Sequence, residues 1–264
     1  MSSPPGEPRR GRPGAARAAA ADDDAALYYR WAAIGFHSAS SFGRFPEPPL
    51  RAPAPSEPGQ AAAPPEAPAA PRLGGSLHEA LAGRVSRRAF GEEPLDAERV
   101  GALLWAAHGQ ISAPGEPERR TVPSGGALFP LRLVVLARAV EGLTEGAYRY
   151  APATGALEAL PEVHSPGVLG AWFRTQHIDY GRAAAVVFFV GLLDRTCARY
   201  GERGYRYLLL EAGHAAQNLC LAATALDVPH VPVGGFDDDR VNAGLQLPRH
   251  REATVYSVVL GRPL

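Results

Sequence analysis

The chain of 264 residues contains no lysine; every one of its 27 basic residues is arginine. A guanidinium stays protonated and cannot act as a general base. Lysine Schiff bases, the phosphate-gripping lysine of a Walker A loop and lysine-based proton abstraction are therefore excluded. Cysteine is almost absent as well. Cys197 and Cys220 stand far apart without CxxC spacing, which indicates neither a disulfide framework nor a zinc site. Net charge is zero, so a nucleic-acid partner has no electrostatic support from the chain as a whole. GxGxxG, GxSxG and HExxH do not occur, which leaves a Rossmann nicotinamide fold, a nucleophile-elbow serine and a zincin site unsupported. No apolar signal segment opens the sequence, and a cytoplasmic location is expected.

Proline, by contrast, is plentiful and unevenly placed. Residues 1–24 are mostly Arg, Ala, Gly and Pro and predict a disordered tail. Residues 25–45 begin AALYYRWAAIGF after three aspartates and predict a short capped helix, an N-terminal arm. Residues 46–72 form a Pro/Ala-rich linker, with ten prolines between Pro46 and Pro71. The folded domain is expected over 73–264.

Within that domain, short helices are expected at Ser76–Gly83 and from Ser165–Pro166 through Phe173. LDAERVGALLWAAH, from Leu95 to His108, predicts an amphipathic helix with Asp96 as cap and Gly109 as stop. LRLVVLA after Pro130, the long apolar run Ala183–Leu193 and Thr254–Leu260 predict strands. Ala147–Tyr150 and Ala156–Leu160 predict a hairpin around APATG. The longest element is Tyr205–Leu226, apolar on almost every face and so a buried helix. Glu211, His214, Gln217 and Asn218 argue against a membrane span there. Strands and helices interleave with a hairpin, which makes the domain α+β.

Five places could carry chemistry. RVSRRAF sets Arg84, Ser86 and Arg88 at alternate positions, which converge on one face of an extended chain and suit a phosphate. A solvated basic segment is the plainer reading. PSGGALFP, from Pro123, offers Ser124 and the backbone amides of Gly125, Gly126 and Ala127. Gly234-Gly235, after the long helix, suits a close approach to a ligand or a positive φ, or an ordinary turn. Glu211, His214 and Asn218 share one face of the long helix and read as satisfied core groups or dimer contacts rather than metal ligands. Asp237–Asp239 read as the cap of a short helix through Gly244.

Together with LLWAAHG, RRTVPSGGALFPLRLVVL, GAYRYAP, ARYGERGYRYLLLEAGHAAQNLCLAA, VPVGGFDD, VVLGRP and FHSAS at 36–40, these segments resemble the FMN-dependent nitroreductase superfamily. Within it they resemble the SagB-type dehydrogenases, which oxidise azolines in ribosomal peptide biosynthesis. The resemblance implies a homodimeric, nitroreductase-like α+β domain with FMN at the subunit interface. Arg84, Ser86 and Arg88 match the segment contacting FMN phosphate, ribityl chain and pyrimidine edge. Pro123, Ser124, Gly125, Gly126 and Ala127 match the loop along the flavin ring, and Gly234 and Gly235 the loop facing its N5. Arg262 matches a C-terminal phosphate contact. A fixed cation near N1 and O2 eases hydride transfer, and Arg88 is the candidate.

One departure stands out. Where azoline oxidases carry a catalytic Lys-Tyr pair, this chain carries Arg199-Tyr200, which leaves Tyr200 as the candidate base. The expected function is dehydrogenation of a peptide azoline or similar bond, with biosynthetic enzymes as partners. The alternatives are an NAD(P)H-dependent reductase of small molecules and a flavin-poor scaffold subunit.

Overall fold

The computed structural model describes residues 71–113, 115–163, 169–175, 177–248 and 251–264. The expected tail, the arm with FHSAS and nearly all of the linker lie outside these residues. Helix α1 spans Leu77–Gly83 and α2 spans Ala97–His108. Strands β1 (Leu131–Ala137), β2 (Gly146–Tyr150), β3 (Leu157–Leu160) and β4 (Ala185–Leu192) follow. Then come α3 (Leu193–Tyr200), α4 (Arg203–Ala225), β5 (His230–Val233), α5 (Asp238–Gly244) and β6 (Glu252–Leu260).

The strands form one antiparallel sheet in the order β3-β2-β1-β4-β6-β5. Its middle is buried on both faces, which is why β4 reads as an unbroken apolar run rather than an alternating one. Leu133, Val135, Val187 and Phe189 pack beneath α2 and α4 with Leu103, Leu104, Leu208 and Leu219. The intervening Val134, Leu136, Val186 and Phe188 pack on the other side with Trp172, Phe173 and Val241. A one-residue slip in β4 would exchange these two sets.

The caps behave as expected. Asp96 accepts the Glu98 amide at 2.6 Å and opens α2, and Asp237 accepts the Arg240 amide at 3.3 Å and opens α5. Ser76 and Glu79 form a reciprocal capping box on α1. Two elements differ from expectation. Of the helix expected from Ser165–Pro166 through Phe173, residues 165–168 lie outside the described residues and Leu169–Trp172 is a 3₁₀ turn; Phe173 leaves at once to bridge Phe236. β5 is a strand although Pro232 sits inside it, because it is the sheet edge and its missing N–H costs the ladder little. Among the described residues no helix is long and apolar enough to cross a membrane.

α3 was not evident in sequence, and its placement depends on Gly204. A β-carbon there would lie 2.5 Å from the Thr196 carbonyl carbon and 2.7 Å from the Cys197 nitrogen. Backbone cannot yield as a side-chain tip can, so Gly204→Ala must push α3 off α4. The expected loss is about 1–3 kcal/mol, read as a lower urea midpoint at unchanged m-value.

Candidate functional site

The basic segment begins as α1 ends. Arg84 has extended backbone, φ −61° and ψ 116°, and the segment is tied down by main-chain bonds. The Arg87 N–H donates to the His230 carbonyl at 2.9 Å, and the Asp179 N–H donates to the Arg88 carbonyl at 2.9 Å. Val85 and Arg87 line a small notch with Asp227 and His230, which leaves Arg84, Ser86 and Arg88 at the alternate positions. Arg87 pairs with Asp227 at 3.5 Å and Arg262 with Glu93 at 3.6 Å. Arg84 and Arg88 have no carboxylate partner among the described residues; Arg88 makes only a 3.4 Å bond to the Ser86 carbonyl.

Beside them lies His230, 3% exposed. Its Nδ1–H donates to the Val228 carbonyl at 2.9 Å, which leaves Nε2 as an acceptor without a partner among the described residues. Burial first, then the charges of Arg84 and Arg87, hold this imidazole below its usual range. Two guanidiniums without carboxylate partners and a hydroxyl form a donor set that fits the phosphate and polyol of FMN.

Gly234 and Gly235 follow β5, and neither adopts a positive φ. A Gly234 β-carbon would make ordinary contact with the Tyr256 ring at 3.7 Å and a Gly235 β-carbon would crowd Thr175 Cγ2 mildly at 3.3 Å, so neither φ nor packing within the chain requires glycine here. The Gly235 carbonyl accepts the Arg174 N–H at 2.8 Å.

The PSGG loop is built differently. Gly126, Ala127 and Phe129 have φ of 65°, 53° and 44°, a left-handed backbone that is costly for the two non-glycines. A β-carbon on Gly126 would lie 2.5 Å from the Tyr200 hydroxyl and 3.4 Å from the Arg199 guanidinium carbon. The Tyr200 ring meets Tyr207 edge-on at 5.1 Å, and Tyr207 lies 3.3 Å from a Gly125 β-carbon. Arg199, Tyr200, Gly125 and Gly126 therefore form one cluster.

The structure does not merge this cluster with the arginine segment. Gly83, next to Arg84, abuts Thr224 near one end of α4, while Gly125 abuts Tyr207 near the other. The 17 intervening residue steps put these ends about 25 Å apart, at 1.5 Å per residue. Leu209, Leu210, Gly213, His214 and Gln217 are exposed on the helix between them.

Of the helix residues considered from sequence, Glu211 and Asn218 are indeed used internally. Asn218 donates to the Thr121 carbonyl at 3.0 Å. Glu211 is 3% exposed and lies 3.5 Å from Nε2 of His108, which is 1% exposed. His214 is exposed. His108 and Arg120 had no signal of their own in sequence. Arg120 Nη1 lies 2.8 Å from His108 Nδ1 and 3.3 Å from its Nε2; a guanidinium only donates, so the imidazole accepts from it. Burial, then Arg120 and Arg195, push His108 down to about 3. It is neutral in the folded protein but protonates near pH 6.5 when unfolded. Stability is therefore lost as pH falls from 6.5 toward 3, and His108→Asn is expected to flatten that limb of a urea-midpoint profile.

Comparison with known proteins fits this geometry. The chain is 34% identical over 176 residues to MJ1384 of Methanocaldococcus jannaschii, a nitroreductase homologue, covering 66% of this chain and 86% of that protein. It is 26% identical over 139 residues to the microcin B17-processing protein McbC of Escherichia coli, about half the length of each (51% and 51%). A nitroreductase-like structure from Ralstonia eutropha superposes with a TM-score of 0.62 at 25% identity, over 75% of this chain and 88% of that one. The E. coli microcin synthetase McbBCD complex with truncated pro-MccB17 shares the fold, with a TM-score of 0.57 at 22% identity over 88% and 92% of the chains. Residues 81–262 match the nitroreductase family, and the chain belongs to it.

Proposed function

We propose that the protein is an FMN-dependent, SagB-type dehydrogenase that oxidises an azoline or similar bond in a ribosomal peptide. Arg84 and Ser86 would hold the phosphate and ribityl chain, with Arg262 as a further phosphate contact and Arg88 at the pyrimidine edge. Pro123–Ala127 and Gly234–Gly235 would flank the ring. Bound FMN supplies the two-electron acceptor. The observation that carries the reading is the packing of Tyr200 against the left-handed Gly126, with Arg199 beside it. In a chain without lysine, the Tyr200 phenolate takes the substrate proton, and the fixed positive charge of Arg199 stabilises that phenolate. The relation to McbC, whose name describes peptide processing, supports this substrate class.

The separation of the two clusters along α4 favours a homodimer in which one chain's Arg84 segment faces the other's Gly126 loop. The exposed Leu209, Leu210 and Gly213 on the same helix suit such a contact. Biosynthetic enzymes that install the azoline would be the further partners, and the site of action would be cytoplasmic.

The test is anaerobic. Flavin absorbance is followed after adding either an azoline-containing peptide or NADPH. Bleaching by the peptide and not by NADPH is expected. Rapid bleaching by NADPH with turnover of nitroaromatics would replace this reading with a small-molecule reductase, which the likeness to MJ1384 favours.

A further inference from the structure

The PSGG loop carries three left-handed residues within four positions, two of them not glycine. Such a backbone persists only where surrounding contacts over-determine it. Gly126 and Ala127 are exposed, so the hold comes from the base of the loop, where Phe129 and Pro130 are buried. The Phe129 ring lies 4.7 Å beneath the Arg120 guanidinium carbon and meets the His108 ring edge-on at 6.4 Å. Its N–H donates to Ser124 Oγ at 2.9 Å.

Both carbonyls at this base are taken by groups at the start of α3. The Pro130 carbonyl accepts the Leu192 N–H at 2.7 Å, one residue before the helix. The Phe129 carbonyl accepts from Arg195 Nη1 at 3.2 Å. Gly126 meets α3 again at its far end, against the Tyr200 hydroxyl and the Arg199 guanidinium. The loop thus follows the helix from Arg195 to Tyr200, about 7.5 Å at 1.5 Å per residue. Arg195 and Arg199 stand one turn apart, on the same face.

Few other contacts fix α3. It buries only Thr196 and has no side-chain cap, and a short helix draws most of its stability from packing. The Leu193 N–H donates to the Arg251 carbonyl at 2.9 Å. The Asp194–Arg251 pair, at 3.6 Å, has both side chains largely exposed and adds little. Gly204 admits the helix to α4 without tying it to the loop.

We propose that Arg195 is a positioning residue for the Arg199–Tyr200 site: by holding the Phe129 carbonyl it locks the left-handed loop to α3 and sets Gly126 against the Tyr200 hydroxyl. Its consequence for the reaction rests on the flavin reading above; its hold on the loop does not. The tie is a single N–H to a single carbonyl, which a lysine ammonium can also make. Arg195→Lys should therefore keep it, whereas Arg195→Ala removes it.

Two measurements on the purified full chain test this. Without FMN, hydrogen exchange of the 124–129 segment is expected to speed up in Arg195→Ala, with β4 exchange unchanged. Arg195→Lys and Arg251→Ala, which loses only the exposed pair on the same helix, should stay close to the parent. With FMN, single-turnover flavin reduction by an azoline-containing peptide is expected to slow about tenfold in Arg195→Ala, the scale of one hydrogen bond from a charged donor. Arg195→Lys should restore the rate, and Arg195→Ala should add no further loss in a Tyr200→Phe background. Loop exchange identical in Arg195→Ala and the parent would overturn the proposal, as would the same tenfold loss in both backgrounds. If the peptide reduced no flavin in the parent, the flavin reading would fall, and loop exchange would still decide the role of Arg195.

Discussion

Tyr200→Phe is expected to slow oxidation of the peptide substrate by about 10²–10⁴-fold, the usual worth of a positioned general base. The argument starts from composition. A chain without lysine has no ammonium group that burial could turn into a base, and Arg199 keeps its proton. The Tyr200 hydroxyl is the acid–base group packed against Gly126, in a position where any side chain on that glycine would collide with it. Removing one oxygen leaves the ring, its edge contact with Tyr207 and the Arg199 guanidinium in place. FMN affinity and the urea midpoint should therefore stay near those of the parent while single-turnover flavin reduction slows. A loss below about tenfold would mark Tyr200 as packing alone, since base catalysis is worth far more.

Phe188→Ala is expected to cost about 3–5 kcal/mol, a large share of the stability of a typical domain. Phe188 is fully buried in the sheet's central strand. Its ring stands 6.0 Å from Trp172 and 6.4 Å from Phe173, which in turn stacks on Tyr180 at 4.5 Å. A cavity there loosens more than the core, because Phe173 bridges Phe236 and Arg174 bonds the Gly235 carbonyl. The glycine loop should lose its support in the same variant. A urea midpoint measures the first effect, and faster exchange of the amides around Gly235 the second. Phe188→Leu, closer in volume, should recover most of both.

Much of this fold was legible because its signals are local. Asp96 and Gly109 bracket α2, β4 reads as apolar without interruption, and the length of α4 follows from a run without proline. α3 was missed because Leu193 follows β4 with no glycine or proline between them, so the end of the strand conceals the start of the helix. β5 was missed because Pro232 argues against a strand, and only the sheet order shows that it is an edge. The alternation of Arg84, Ser86 and Arg88 was visible for the same local reason. That this segment and Gly126 sit at opposite ends of α4 depends on which helix turns they touch, and no spacing in sequence reports that. Glu211 read correctly as a core group. Its neighbour His108 comes from the end of α2, and only the fold brings the two together.

The most direct test of the flavin assignment is reconstitution. Purified protein is mixed with FMN, separated from excess and its absorbance spectrum recorded, beside an Arg84→Ala, Arg88→Ala double variant. The account predicts a yellow parent retaining about one FMN per chain and a colourless variant, because each lost arginine–phosphate or arginine–ring contact is a charge-assisted bond. A parent that stays colourless with FMN, or a variant that retains it as well as the parent, would contradict the account; the first result would point to a scaffold subunit instead.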